Sequence, residues 1–425
     1  MRLFGVSGSS DITRIMIELS TTTTEDTRIW RNPSFRRFAS SRVLSSAAFQ
    51  ATNVGLGWLI YDKTHNAFDL GYVGLCQFLP MVVLTFVVGH VADRFDRRRI
   101  GLICQIAEAI DLLVISVGVW MGWLTVGQIF AAVMLLGAAQ AFERPTMAAL
   151  LPSAVSATAL PRAIAGSASV QQTAMIVGPS LGGLLYGVAP VAPFLFAAIC
   201  FAAASVNIIG IRVVAALDRR EPVSLKSVFG GVSFIWSRPI ILGTISLDLF
   251  AVLLGGATAL LPIYARDILH AGPWGLGVLR SAPAIGALLM SLVLARYPLS
   301  RHVGMKMFYA VAVFGLGTLV FALSTSITLS VAALFVIGAA DNISVVIRSS
   351  LVQLLTPDSM RGRVNAVNFL FIGTSNQLGE FESGMLAGFV GAVPAAVIGG
   401  AGTILVVLIW MRLFPALRQA DRFSS

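Results

Sequence analysis

Several carboxylates lie inside long apolar stretches of this sequence, where an ionisable group is costly and is therefore a candidate for function. Asp248 lies within the stretch GTISLDLFAVLLGG. A carboxylate in low-dielectric surroundings binds a proton more readily than it does in water, so such a group can load and release protons. Asp248 is our leading candidate for proton coupling. The alternative is a permanent ion pair, for which Arg42 in another apolar stretch is the partner to consider.

Further acids have the same character. Glu108 and Asp111 are three residues apart and share one helix face, which favours a role in proton coupling or cation recognition, or else pairing with polar neighbours. Glu380 and Glu382 are two residues apart, so about 200° separates them on a helix and they cannot both face one cavity. Asp341 is a weaker signal of the same kind.

A cluster of charge interrupts the apolar pattern at GHVADRFDRRR, which starts at Gly89. Gly89 lets two helices approach closely, and Asp93 can accept hydrogen bonds from a neighbouring helix N-terminus. The arginines, Arg94 and Arg98 among them, can hold anionic headgroups or opposing carboxylates. We interpret Gly89, Asp93, Arg94 and Arg98 as a gating motif; the alternative is that the arginines only anchor the topology.

The elements that carry these residues are membrane helices. The chain has 425 residues, of which 56% are hydrophobic and 12% are charged, and its mean hydropathy is +0.84. Apolar runs of about 20 residues indicate spanning helices, the open elements that satisfy their own backbone in lipid. The sequence predicts twelve spans: 37–61, 67–92, 99–121, 124–143, 163–187, 190–212, 239–265, 273–296, 304–324, 327–348, 363–389 and 391–413.

The distribution of basic residues predicts the orientation. Nearly all of the 30 Lys and Arg residues fall on the side of the N-terminus, and only Lys63 and Arg266 lie in loops on the other side. The positive-inside rule then places both termini in the cytoplasm. The net charge of +10 is thereby explained by topology, and we expect no nucleic-acid partner.

Internal repetition divides the chain into two halves. RPTMAALLP from Arg144 matches RSSLVQLLT from Arg348, and three glycines of the fifth span recur in the eleventh. Two parallel six-helix halves around a central path are typical of one large class of secondary transporters. The predicted organisation is a cytoplasmic, disordered tail (1–34), an N-terminal bundle (35–213), a cytoplasmic central loop with an interfacial helix (214–238), a C-terminal bundle (239–414) and a cytoplasmic tail (415–425).

Small and polar residues mark helix contacts and a cavity. GPSLGG in the fifth span supplies a helix-packing motif, Gly178, Pro179, Gly182 and Gly183, in which small residues permit close contact and the proline bends the helix. A pocket for a bulky molecule needs aromatic walls and a few hydrogen-bonding groups. The candidates for the substrate cavity are Gln50, Asn53, Trp58, Gln171, Gln172 and Asn376.

The motif that starts at Gly89 resembles the one that the major facilitator superfamily carries between its second and third helices, and GPSLGG resembles its exporter-associated motif. Ala165 and Ala174 stand where that motif has glycines. Longer strings, such as FERPTMAALLP and PDSMRGRVNAVNFLFIGTSNQLGEFESG, are similar to the subfamily of the enterobactin exporter and macrolide efflux proteins. The resemblance covers residues 30–420, although Glu143 occupies a position where the family pattern has a small residue.

This resemblance implies an all-α membrane protein with twelve helices in two pseudo-symmetric bundles, located in the cytoplasmic (inner) membrane of a bacterium. It implies export of a small organic molecule, a siderophore or a hydrophobic drug, in exchange for protons. Asp93 and Arg94 would stabilise the state closed to the cytoplasm. The alternatives are an uncoupled facilitator or an importer of the same fold, and a non-transporting membrane sensor.

The partners that we expect are the substrate, protons and the lipid bilayer, with the protein as a monomer. Cys76, Cys104 and Cys200 lie in apolar runs without CxxC spacing, so they predict neither disulfides nor a metal site. The sequence has no GxxxxGK[ST] or HExxH motif. We therefore expect no cofactor, no metal and no catalytic residues, and ATP cannot drive transport from within this chain.

Overall fold

The computed structural model describes residues 29–156, 158–212 and 225–422, and over these ranges the chain is helical and contains no strand. The N-terminal bundle consists of α1 (Pro33–Thr64), α2 (Ala67–Arg94), α3 (Arg97–Met121), α4 (Val126–Ala154), α5 (Leu160–Val188) and α6 (Ala192–Ile209). A short helix α7 (Leu225–Trp236) precedes the second bundle. That bundle consists of α8 (Pro239–Gly255), α9 (Gly272–Arg296), α10 (Val303–Leu323), α11 (Ile327–Leu355), α12 (Asp358–Val390), α13 (Ala392–Leu413) and the short α14 (Pro415–Arg418).

Capping residues set where these helices begin. The side chain of Asn32 accepts hydrogen bonds from the backbone of Ser34 (2.9 Å) and Phe35 (3.3 Å), which starts α1 together with a proline in its first turn. Asp96 starts α3 by accepting from the backbone N–H of Arg98 at 2.8 Å. Each cap satisfies backbone N–H groups that have no partner inside the helix.

The predicted fold of twelve long helices is confirmed. Among the described residues, nine helices are long and apolar enough to cross a membrane. The other three long helices are α1, α5 and α12, with 32, 29 and 33 residues, and all three carry polar residues predicted to line the cavity. Their lower hydropathy follows from those side chains, because residues that face protein or a polar cleft need not be apolar.

The seventh span is broken, which its continuous apolar pattern did not predict. After α8 ends at Gly255 the chain continues as a 3₁₀ turn (Ala257–Leu260), a short α turn and a π-helical turn (Tyr264–Ile268). Two consecutive glycines precede the break, and Pro262 lacks a backbone donor. The hydroxyl of the buried Tyr264 donates to the carbonyl of Ala322 in α10 at 2.9 Å, which holds this segment against the second bundle.

Corresponding helices pack alike in the two bundles. In the first, α1 packs on α5 and α6, α2 packs on α4, and α3 packs on α4 and α6. In the second, α8 packs on α12 and α13, α9 packs on α11, and α10 packs on α11 and α13. The most extensive contacts between the bundles are made by two helix pairs, α2 with α12 and α5 with α9. Motion between the bundles therefore has to change these two contacts.

Glycines form the closest contacts between the bundles. A Cβ atom added at Gly384 of α12 would lie 2.5 Å from Gly71 of α2. One added at Gly277 of α9 would lie 2.7 Å from the carbonyl oxygen of Pro179 and 3.2 Å from Gly183, both in α5. Distances under 3 Å leave no room for a side chain, so two glycine contacts allow the bundles to touch backbone to backbone. We call this contact zone the seam.

Polar contacts extend the seam to one end of the molecule. Ser180 and Ser281 are 2.9 Å apart, oxygen to oxygen, and they link α5 to α9. At the outermost turn, Arg266 donates to the carboxylate of Asp62 at 2.6 Å, and the hydroxyl of Tyr61 donates to Asp267. These residues lie at the end opposite the arginine-rich connection between α2 and α3, which we call the basic end.

The described contacts between the bundles stop near the middle of the helices. The ones nearest to the basic end join Gln172 to the carbonyl of Ala284 (3.1 Å) and bring Met81 within 3.1 Å of a Cβ position at Gly373. Nearer to the basic end, the facing parts of α2 and α12 include residues whose side chains lie outside the described set. The seam therefore closes the end of the molecule opposite the basic end.

We expect Gly183→Leu to open the seam, because its side chain would project into Pro273 and Gly277 of the other bundle. Overpacking of this kind costs about 1–3 kcal/mol. The measurement is disulfide formation between Ser180→Cys and Ser281→Cys in a background without the natural cysteines; the cross-linking rate should fall at least about fivefold.

Gly187→Leu is the matched control, since no atom lies within 4 Å of a Cβ atom at Gly187, one turn further along α5. It should cross-link at the rate of the unmodified background. Equal rates for the Gly183 and Gly187 variants would show that the seam does not depend on the glycine contact.

Candidate transport site

A buried ion pair lies in the C-terminal bundle. Asp248 of α8 accepts a hydrogen bond from the guanidinium of Arg348 in α11, and the hydroxyl of Ser344 lies 3.5 Å from the same carboxylate. Asp248 and Arg348 are 5% and 4% exposed. The pair that the sequence suggested, Asp248 with Arg42, does not form: Asp248 and Arg42 belong to different bundles, and Arg42 bonds to Gln171 instead.

A second acid lies beside this pair. Asp341 of α11 lines the same small cavity as Asp248 and Ser344, with a volume of about 10 Å³. That volume is close to the smallest that holds one water molecule. Asp248 and Asp341 repel one another while Arg348 attracts both. The positive charge of Arg348 neutralises one of the two carboxylates, so the other carboxylate can bind one proton.

The N-terminal bundle holds a larger polar network at the α3–α4 contact. Glu143 accepts from Gln105 at 2.9 Å with one oxygen and from Gln140 at 3.0 Å with the other. The same Gln140 amide donates to Glu108 at 2.5 Å. Glu108 and Glu143 are 1% and 2% exposed, and the second oxygen of Glu108 has no hydrogen-bond partner. Asp111 is also buried, with one oxygen unpartnered, one turn from Glu108.

Two arginines border this network on its accessible side. Arg144 of α4 is exposed; its Nε donates to Gln140 at 3.0 Å, and its guanidinium lies 5.1 Å from the ring centre of Phe49 in α1. Arg42 is half-buried and donates to Gln171 of α5 at 2.9 Å. Cation–π contacts of this kind hold a guanidinium flat against an aromatic ring.

The structure describes only part of the gating motif. Gly89 and Asp93 lie in α2, and their side chains are outside the described set. Arg94 ends α2 and is exposed. Arg98 pairs with Asp96 at 2.9 Å and also donates to the carbonyl of Ile211 at the end of α6.

These contacts tie the charged loop to its own bundle. The hydrogen bond from Arg98 holds the pKa of the Asp96 carboxyl below its ordinary value, so Asp96 keeps its charge. The neighbouring Arg97 donates to the carbonyl of Ala149 in α4 at 3.1 Å. Cations at the C-terminal ends of α4 and α6 also complement the helix dipoles.

The helix-packing motif lies in two different contacts. Cβ atoms at Gly178 and Gly182 would come within 2.7 Å of Gln50 and Ala51, so these two glycines let α5 pack closely on α1. Gly183 faces the other way, into the seam, and Pro179 supplies the carbonyl that Gly277 approaches.

The predicted cavity residues also lie in different surroundings. Gln50 packs between α1 and α5, and Trp58 is 9% exposed, with its ring 6.4 Å from that of Tyr186. Gln172 crosses the seam to α9. Asn53 and Gln171 are half-buried and Asn376 is exposed, so these three are the accessible members of the predicted set.

Glu380 and Glu382 have different neighbours. The side chain of Glu380 lies 3.1 Å from a Cβ position at Gly74 of α2, on the seam, and it attracts Arg280 of α9. Glu382 is half-buried beside Ser383 at 3.5 Å. The approximately 200° between the two acids explains why only Glu380 faces the other bundle.

Sequence reasoning assigned no role to several of these groups. Arg348 is the partner of Asp248, and the internal repeat that aligned it with Arg144 was the signal available for it. Arg280 lies close to Gly57 of α1, and its Nε has no partner; its position inside the predicted span 273–296 was the signal available for it. Among the described residues, no group of three or more His, Cys, Asp or Glu side chains could hold a metal ion.

Two helical bundles that meet along a seam, with charged side chains inside the spans, define a multi-pass membrane protein. The family profile described as transmembrane secretion effector matches residues 29–425. The chain belongs to this family, within the major facilitator superfamily, whose members are transporters and not enzymes.

Named relatives and solved structures agree with this family. The chain is 25% identical to the multidrug efflux pump Tap of Mycolicibacterium fortuitum, over 88% of this chain and 94% of that one. It is also 25% identical to the enterobactin exporter EntS of Citrobacter koseri, over 91% and 93%.

Among solved structures, a mutant of the nucleoside transporter NupG superposes with a TM-score of 0.72 at 13% identity, covering 90% of this chain and all of that one. An inward-facing, occupied bacterial homologue of the lysosomal transporter Spinster gives 0.70 at 12% identity, covering 92% and 96%. At these identities the structures show a shared fold.

We expect Asp248→Asn to destabilise the protein by about 3–5 kcal/mol, because it breaks the buried, hydrogen-bonded ion pair with Arg348. The double variant Asp248→Asn with Arg348→Gln removes both charges and should recover most of that loss. Thermal unfolding of the purified protein in detergent measures both variants.

Asp421→Asn serves as the control, since Asp421 pairs with His302 at the surface at 2.8 Å, and such exposed pairs contribute about 0–1 kcal/mol. If the Asp248 and Asp421 variants unfold at the same temperature, Asp248 and Arg348 are not a buried ion pair.

Proposed function

We propose that this protein is a secondary active transporter that exports a small organic molecule across the cytoplasmic membrane in exchange for protons. The observation that carries the proposal is the site of Asp248, Arg348 and Asp341, in which two acids share one arginine inside the C-terminal bundle. In a site with two carboxylates and one guanidinium, one carboxylate stays paired with the guanidinium and the other can take up one proton.

The transport mechanism that we propose is alternating access, in which the two ends of the molecule open in turn. The seam closes the end opposite the basic end, and the positive-inside rule places the basic end in the cytoplasm. We assign the structure to the inward-facing state, in which a cleft between the bundles opens toward the basic end and both termini lie in the cytoplasm. In the opposite state the seam opens and the basic end closes, with Asp93 and Arg94 as the latch that holds it.

The moving bodies are the two bundles, residues 35–213 and 239–414, joined by the central loop. Helix α7 within that loop packs on the second bundle: a Cβ atom at Gly231 would lie 2.8 Å from the carbonyl of Arg363 in α12. The loop helix therefore moves with α12.

The substrate class follows from the relatives. One group of relatives is named for multidrug efflux and another for enterobactin export, so a hydrophobic drug or a siderophore is the class we propose for this chain. Export, as opposed to import, rests on the same names and on GPSLGG in α5.

In liposomes with an imposed pH gradient, the wild type should move its substrate against a concentration gradient, with drug and siderophore panels as the tested molecules. Asp341→Asn should reduce gradient-driven transport at least about tenfold, because it removes the carboxylate that takes up a proton beside the pair of Asp248 and Arg348. It should retain substrate exchange in the absence of a gradient, because the pair of Asp248 and Arg348 stays intact.

Asp421→Asn, an exposed acid at the basic end, is the control and should transport as the wild type does. Inverted vesicles establish direction: accumulation inside them identifies an exporter, and loss from them identifies an importer. Gradient-driven transport by Asp341→Asn at the wild-type rate would contradict the coupling mechanism, and a lack of response to any pH gradient would indicate an uncoupled facilitator.

A further inference from the structure

The two bundles differ in charge at equivalent positions. Pro33 begins α1 and Pro239 begins α8, and a tryptophan, Trp30 or Trp236, stands three residues before each proline. Arg42 follows the first proline by nine residues, and Asp248 follows the second by nine. Since Arg144 matches Arg348, the ion pair of the C-terminal bundle corresponds to two arginines in the N-terminal bundle.

The nearby acids accept their hydrogen bonds from amides. Both oxygens of Glu143 accept from the amides of Gln105 and Gln140, and Glu108 accepts from Gln140. These carboxylates are buried between α3 and α4. Within the described part of the chain, neither Arg42 nor Arg144 makes a salt bridge.

The two guanidiniums retain free donors on the accessible side. Each arginine has five N–H groups, and the described contacts use one of Arg42, toward Gln171, and one of Arg144, toward Gln140. Phe49 lies two helical turns after Arg42 on the same face of α1, and Arg144 stacks on its ring. Glu143 attracts both guanidiniums without forming a salt bridge to either. The two positive charges repel each other, and an anion placed between them offsets that repulsion.

We propose that Arg42 and Arg144, with the ring of Phe49 beside them, form an anion-recognition site on the N-terminal wall of the cleft. The ligand is an aromatic organic acid whose oxygen anion contacts the guanidiniums and whose ring packs on Phe49. Planar guanidiniums bind carboxylates and similar oxygen anions with two parallel hydrogen bonds. This inference rests on the proposed function in one respect, that the cleft is the transport route.

Equilibrium binding of radiolabelled salicylate to the full-length protein in detergent tests the site without any gradient. Salicylamide, its uncharged analogue, is the matched competitor. The wild type should bind salicylate at least about tenfold more tightly than salicylamide, since a charge-assisted hydrogen bond is lost in the amide. Arg42→Gln and Arg144→Gln should each weaken salicylate binding about ten- to hundredfold.

Arg301→Gln, at an exposed arginine in the loop between α9 and α10, is the control and should bind as the wild type does. Arg144→Lys keeps the positive charge but loses the planar guanidinium with its paired donors, so it should bind salicylate with an intermediate affinity. This variant tests the site if Arg144→Gln does not fold. Equal binding of salicylate and salicylamide, or unchanged binding in both glutamine variants, would overturn the site.

Two further arms separate the possible explanations. Salicylate binding that persists in phosphatidylcholine vesicles but is lost in phosphatidylglycerol vesicles would overturn the proposal by assigning the arginines to a lipid headgroup. Loss of binding in the glutamine variants supports the site even if no pH gradient drives transport, whereas unchanged binding with intact gradient-driven transport overturns the site and leaves the proposed function standing.

Discussion

A charge inside a bilayer has to be neutralised by the protein, and the two bundles meet this requirement differently. In the C-terminal bundle Asp248 and Arg348 neutralise each other, which leaves Asp341 as the group that can exchange a proton. In the N-terminal bundle amide groups hold the acids, and two arginines remain accessible. Pseudo-symmetric helices thus carry unlike chemistry, and we assign the proton to one bundle and the substrate anion to the other.

The closest contacts between the bundles are uncharged. Among the described residues, glycine pairs and two serines form these contacts, Glu380 and Arg280 of the C-terminal bundle lie beside them, and an ion pair between the bundles lies at the outermost turn, where solvent screens it. Backbone contacts of this kind depend on shape, so they separate without leaving a buried charge unpaired. A transporter that opens and closes in each cycle needs contacts of this modest strength.

Hydropathy, loop charge and the internal repeat predicted the number, order and class of the helices. They did not predict the break after Gly255, because a run of apolar residues has the same hydropathy whether it is α-helical or includes a π turn. They proposed Arg42 as the partner of Asp248, since one sequence does not show which helices are neighbours. Trp58 was predicted for the cavity and is buried against Tyr186, because helix rotation depends on packing.

Distances between spin labels test the account most directly. One pair of labels at Lys63 and His270 reports on the seam end, and a second pair at Arg99 and Arg301 reports on the basic end; all four side chains are exposed. In lipid vesicles, a change between mildly acidic and mildly alkaline pH should lengthen one distance while it shortens the other, and Asp341→Asn should abolish the response. Two distances that change in the same sense, or a variant that responds like the wild type, would contradict proton-linked alternating access.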